Sequence, residues 1–162
     1  MINATVDVTA MDLVQLRRAF RFNFEGIPEA LAKRGAARVR QNIYGQRYKH
    51  VALNPLYRRW KVKHGLDPRI LIATGKYVES IVARKQNKTT WLVAPAAGET
   101  FGKAGRAMST LGLWLEYGTK HMPARPHFRP EAARLQVELV QMGKRGVATI
   151  VKDIRAVRMV RV

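Results

Sequence analysis

Residues 113–132 read Leu-Trp-Leu-Glu-Tyr-Gly-Thr-Lys-His-Met-Pro-Ala-Arg-Pro-His-Phe-Arg-Pro-Glu-Ala. Leu113 to Tyr117 alternates large apolar side chains with Trp114 and Glu116, which predicts a short two-faced strand. Gly118 and Thr119 end it. Pro123, Pro126 and Pro130 each lack an N–H donor, so no ladder or helix can form until the chain has turned. Pro130 followed by Glu131 suits a first helical turn, where a missing donor is harmless and an acid meets the positive end of the dipole.

Downstream of that turn, Ala132, Leu135, Leu139, Met142, Val147, Ile150, Val151, Ile154 and Val157 recur at helical spacing. They predict one long helix, with Gly143 or Gly146 as the place for a bend and a C-terminal extension over about 143–162. Upstream, residues 96–112 hold Gly98, Gly102, Gly105 and Gly112 with little periodicity, which predicts a mobile loop between strands. Removing Gly98 to Ser109 is expected to leave a folded chain. Lys76 to Lys85 and Thr89 to Ala94 read as a hairpin around a polar Gln-Asn-Lys turn. Pro28 with Glu29 opens a helix to Ile43, striped by Leu31, Gly35, Val39 and Ile43, with Ala32 and Ala36 alongside. Its small residues would let it approach a sheet closely. Residues 44–70 form a basic, aromatic loop with a short helix near Leu56 to Lys63. At the start, Ile2 to Val8 alternates like a strand, and Thr9 can cap a helix from Met11 to about Phe20. This order implies an α+β fold: a small antiparallel sheet, a hairpin plus further strands, against two main helices. A length of 162 residues fits one domain over 1–162.

The composition is that of a globular chain, 47% apolar and 25% charged. It has no cysteine, which excludes disulfides and thiolate metal sites. No apolar run approaches the roughly 18 residues a membrane span needs. The opening Met-Ile-Asn-Ala-Thr-Val-Asp has neither basic nor apolar leader character, so no secretion signal is expected. The charge balance carries more information. Thirty Lys and Arg against eleven acids give +19. No acid lies between Ala30 and Leu66, where Lys33, Arg34, Arg38, Arg40, Arg47, Lys49, Arg58, Arg59, Lys61 and Lys63 all fall. Such a block seeks phosphate or an acidic protein surface, unless it is merely a solvated helix face.

Reactive chemistry has little support. Gly98 to Ala104 is one residue short of the phosphate-loop spacing and has Ala104 where a hydroxyl is required. His50, His64, His121 and His127 show no metal-ligand spacing, and the acids form no paired-carboxylate signature. Ser80 and Ser109 lack a nucleophile elbow. Arg125 has two readings: bracing carbonyls left free by the prolines, or gripping an acidic neighbour. The same pair applies to Arg129. Gly75 gives backbone freedom at the start of a strand, and Thr74 can bond locally.

The segment from Glu116-Tyr117-Gly118-Thr119 to Pro123, Arg125, Pro126, Phe128 and Pro130 resembles the head–tail joining, or tail-completion, proteins of tailed bacteriophages. That family has a Glu-aromatic-Gly-Thr segment, then an Arg-Pro-aromatic-Pro segment that opens a C-terminal helix. A second likeness lies in Thr74-Gly75 with Ser80-Ile81, and in Trp60-Lys61-Val62-Lys63 upstream, shared with the related virion-morphogenesis group. Together the likeness covers Trp60 to Leu139. The long basic tail beyond Met142 and the bulk of Trp114 depart from the family pattern.

The resemblance implies a structural virion protein without enzymatic activity or cofactor, assembled in the host cytoplasm and resident in the neck. It would form a homo-oligomeric ring of about six or twelve subunits. Its partners would be head-closure or adaptor proteins and tail-terminator or tail-tube proteins, with no membrane. Arg34, Arg38, Arg58, Arg59, Lys61 and Lys63, with Lys103, Arg106, Lys120 and Arg129, are the positions expected to face DNA in the channel or those neighbours. The alternative, argued from charge and from Tyr48, Tyr57 and Trp60, is a stand-alone nucleic-acid-binding protein.

Overall fold

A computed structural model describes residues 17, 18, 21, 24–87 and 90–159, with side chains as far as residue 152. The strand expected over Ile2 to Val8 lies outside the described residues. So does the helix expected from Met11, except Arg17 and Arg18, which are helical.

Helix α1 spans Ile27–Tyr44 and opens with Pro28 and Glu29, as its sequence requires. It buries Leu31, Ala32, Gly35, Ala36, Val39 and Ile43 along one stripe. Helix α2, Pro55–Lys63, is capped by Asn54, whose side chain accepts from the Leu56 N–H at 2.8 Å. Helix α3 is the short Lys76–Ser80. Strands β1, Ile81–Lys85, and β2, Trp91–Pro95, pair antiparallel with Ile81 opposite Pro95 and Lys85 opposite Trp91. The Gln86 N–H donates to the Thr90 carbonyl at 2.9 Å in the turn. Strands β3, Thr100–Phe101, and β4, Arg106–Ala107, form a second, separate two-stranded sheet. Helix α4 covers Met108–Tyr117 and α5 covers Phe128–Met159. The fold is α+β, with α1 packed against the β1–β2 hairpin on one side and α5 on another.

The core gathers Ala36, Val39, Ile43, Ile72, Tyr77, Val78, Ile81, Met108 and Leu115. Burying each large aliphatic member there contributes about 1.5–3 kcal/mol. Gly35 serves a close approach, but to a helix and not to the sheet. A Cβ added there would lie 2.6 Å from Leu135 Cδ1 on α5.

Three sequence expectations are corrected. Leu113 to Tyr117 is not a strand but the second half of α4. Leu113 and Tyr117 are exposed, while Met108, Gly112, Leu115 and Glu116 are buried, a helical and not an alternating set. Residues 96–112 are not one mobile loop. Gly102 and Gly105, both at positive φ, turn β3 into β4, and Met108 beyond them is 2% exposed. A deletion reaching Ser109 therefore removes core. Finally, Lys76 starts a helix and not a strand. Gly75, at φ +85°, caps that helix, and its carbonyl accepts from the Glu79 N–H at 3.1 Å. The long helix begins at Phe128, two residues before Pro130, and runs unbroken through Gly143 and Gly146.

Candidate functional site

The residues of the opening motif converge on one carboxylate. Glu116 ends α4 in the interior, 4% exposed. Its Oε2 accepts from the backbone N–H groups of His127, at 2.8 Å, and Phe128, at 3.0 Å. Its Oε1 accepts from the Arg129 N–H at 3.0 Å and from Arg129 Nε at 3.1 Å. The first N–H groups of a helix have no partner within it and carry its positive dipole end. One buried acid therefore satisfies the start of α5 and fixes its direction. Burial alone would raise the Glu116 pKa. The three backbone donors, from His127, Phe128 and Arg129, outweigh it and hold the carboxyl below its usual range.

Around that carboxylate, Gly118 turns the chain at φ +79°, and the Thr119 N–H donates to the Met122 carbonyl at 2.8 Å. The Arg125 N–H returns to the Leu115 carbonyl at 2.6 Å. Pro123 and Pro130 are exposed and Pro126 half-buried. The Phe128 ring lies 4.4 Å from that of His127. His127 itself is fully buried. Its Nδ1 donates to the Arg125 carbonyl at 2.9 Å, and its Nε2 accepts from the Tyr77 hydroxyl at 2.5 Å, a tautomer assigned from these partners. Burial pushes the His127 pKa down and the Tyr77 pKa up, so both are neutral. The 3.4 Å approach of His127 Nδ1 to Glu116 is accordingly no ion pair.

Tyr77 belongs to α3, the helix started by Thr74 and Gly75. The two sequence motifs thus meet at the Tyr77–His127 bond, although fifty residues separate them. Thr74 is exposed, and Ser80 turns inward to donate to the Tyr77 carbonyl at 2.7 Å. Spacing along the chain offered no sign of this bond.

The expected contact residues divide into two groups. Arg38 is internal: it joins Glu138 and lies 2.6 Å from Glu131, a charge contact without aligned hydrogen-bond geometry. Arg34 reaches Glu138 at 3.4 Å. Both link α1 to α5, and the Arg34 side chain is still 56% exposed. Lys61 is 3% exposed and donates to the carbonyls of Arg69, at 2.9 Å, and Ile72. Arg125 is 7% exposed, and its Nε has no hydrogen-bond partner. Its backbone, not its guanidinium, braces the joint. Arg129 lies 5.1 Å from the centre of the Tyr117 ring as well as on Glu116.

The second group is exposed. Arg58, Arg59 and Lys63 project from α2, Lys103 from the β3–β4 turn, and Lys120 from the joint. Arg106 is exposed and lies over Trp114 at 5.5 Å. On α2, the rings of Tyr57 and Trp60 stack 5.8 Å apart at 12°, and Trp60 is 4.3 Å from His64. Helix α2 is tethered to the body through Lys61. Lys61→Met keeps the stem but removes both carbonyl bonds. It is expected to raise protease cleavage within 55–64 about tenfold, with the global unfolding midpoint little changed. Equal cleavage of the two proteins would discount the tether.

No cluster of His, Cys, Asp or Glu able to hold a metal exists among the described residues. A groove of about 510 Å³ between α1, β2 and α5 is lined mainly by apolar side chains, including Leu31, Trp91, Val93 and Leu135. No described helix is long and apolar enough to cross a membrane. No family model, curated protein or solved structure matches the chain.

Proposed function

We propose that this chain is a structural subunit of a tailed-phage neck, forming a homo-oligomeric ring between head-closure and tail components. The observation that carries the reading is the joint. The two motifs that resemble the neck family are brought together by the Tyr77–His127 bond, and Glu116 is occupied by donors from the start of α5. Such an arrangement positions a long helix and engages the Glu116 carboxylate in structural bonds. Apolar side chains on α2 and α5, among them Leu56 at 73% and Val137 at 57% exposure, are left for partners.

A second reading, a nucleic-acid-binding module, is favoured by the stacked Tyr57 and Trp60, with His64 tilted against Trp60, beside Arg58, Arg59 and Lys63. Stacked aromatics with flanking cations suit bases and phosphates. Native mass measurement with electron microscopy separates the two. Rings of defined stoichiometry are expected. A monomer that binds DNA with an affinity falling steeply with salt would replace the neck reading by the second.

A further inference from the structure

Arg125 is the exception among the buried charges of the described residues. Glu116 is filled by donors from the start of α5, Glu131 lies on Arg38, and Lys61 donates to two carbonyls. Arg125 is 7% exposed, and its Nε is buried without a partner. Among the described residues, none forms a hydrogen bond or ion pair with its guanidinium. A charge taken out of water is normally paired, because burying it alone is strongly unfavourable. Its surroundings add positive charge. Burial lowers the Lys61 and His50 pKa values, and the Arg125 charge lowers both further. Burial likewise lowers the Arg125 pKa, opposed by the Tyr57 phenol. The acids felt in this region are committed elsewhere: Asp67 is held by Arg69, and both Glu116 oxygens accept from the start of α5.

We propose that Arg125, with His50, Tyr57 and Lys61 around it, is a binding site for a phosphate group. The four side chains come from three parts of the chain: His50 from the stretch before α2, Tyr57 and Lys61 from α2, and Arg125 from the joint. Lys61 Nζ lies 6.0 Å from the centre of the Tyr57 ring. Like Arg125 Nε, His50 Nε2 is buried without a partner. Lys61 has given two of its three N–H donors to carbonyls. Tyr57 is 48% exposed, so the cluster borders solvent. Two cations with no free acid call for an anion, and donors on four side chains call for one with several acceptor oxygens. A carboxylate offers two oxygens. Phosphate offers more, and the guanidinium fork matches it. Arg58, Arg59 and Lys63, exposed on α2, raise the concentration of anions nearby. The group is carried either by free phosphate or by the backbone of a nucleic-acid strand. The site does not rest on the neck reading, and ring assembly is not what its test measures.

Inorganic phosphate and a short oligothymidylate are the probes, each titrated into the full chain against chloride at constant ionic strength. The Arg125 Nε–H signal, assigned by its loss in Arg125→Lys, is expected to shift on adding phosphate more than that of any other arginine. This shift is read on the unaltered protein, so it stands whatever a substitution does to folding. Arg125→Met keeps the apolar stem and removes the unpaired charge. In chloride it is expected to melt no lower than the parent chain. Phosphate should raise the melting temperature of the parent beyond the general salt effect seen in the variant. Phosphate affinity should fall at least about tenfold in Arg125→Met. It should change little in Lys85→Gln, which removes an equal charge from the exposed end of β1. Oligothymidylate that binds no tighter than phosphate names free phosphate as the ligand. Tighter binding that Arg125→Met weakens by the same factor names the nucleic-acid backbone. Equal phosphate binding by the parent and Arg125→Met, with the Arg125 signal unmoved, would overturn the site. So would an acidic peptide that moves this signal where phosphate does not.

Discussion

Glu116→Gln is expected to destabilise the fold by about 2–4 kcal/mol, read as a lower urea midpoint at unchanged slope. The amide has nearly the shape of the acid but one acceptor fewer. Its NH2 must face either the His127 and Phe128 donors or the Arg129 donors, so at least one buried N–H loses its partner. Glu116→Ala strands all three and is expected to cost about 3–5 kcal/mol. The acid limb of the stability curve supplies an independent check. The folded carboxyl titrates below its unfolded value, so its contribution is complete above the ordinary carboxylate range and is lost as pH falls through the folded pKa. His127 acts at higher pH. Its folded pKa is lowered, so the unfolded chain takes up the proton first and stability falls as pH drops below the ordinary imidazole range. Glu116→Gln should keep the imidazole part and lose the carboxylate part. An unchanged acid limb would mean that Glu116 is not held ionised.

Gly118→Ala is the second large effect, about 3 kcal/mol or more. Gly118 sits at φ +79° and ψ 178°, a region open essentially to glycine alone. A Cβ there would also lie 2.8 Å from the Ala124 nitrogen and 2.9 Å from the Met122 oxygen, both backbone atoms that cannot swing aside. For a chain of this size the melting temperature should fall by about 6–12 °C. Gly98→Ala is the control. Its φ is +87°, but nothing lies within 4 Å of the added carbon. It should lose about 1–2 kcal/mol, the backbone preference alone. Equal losses at the two positions would remove the steric part of the argument.

Local instructions were readable from the chain, and long-range ones were not. Pro28 and Glu29 announced α1, because a helix start is written in adjacent residues, and the short helix near Leu56 to Lys63 was legible as well; its Asn54 cap emerged from the structure. The β1–β2 hairpin was legible for the same reason. Helix α4 was misread because five residues of apparent alternation hid a pattern beginning earlier, with Met108, Gly112 and Leu115 at helical spacing. Gly105 and Gly112 made those residues look like loop. At the candidate site, the motif residues meet in space at the Tyr77–His127 bond, but Lys61 and Arg38 could not be told from Arg58 by charge. Lys61 is drawn inward by the carbonyls of Arg69 and Ile72, and Arg38 by Glu131 and Glu138 on a distant helix. Which cation turns inward depends on a partner that only the folded chain supplies: the packing of α5 on α1 for Arg38, and the carbonyls of residues 69 and 72 for Lys61.

Folding also redistributes the few anions. Glu116 and Glu131 are 4% and 2% exposed, while Glu138 and Asp67 are held by Arg38 and Arg69. Net charge is unchanged, yet half of the eight acids with described side chains are taken up in this way, which leaves Glu25, Glu29, Glu79 and Glu99 outside against Arg58, Arg59, Lys63, Lys103 and Lys120. The free chain must then gather a cloud of small counter-anions from solution. Docking onto a polyanion or an acidic neighbour releases that cloud, so such contacts gain entropy and weaken as ionic strength rises. Under the proposed function, dissolved salt would thereby set when this protein stays free and when it docks.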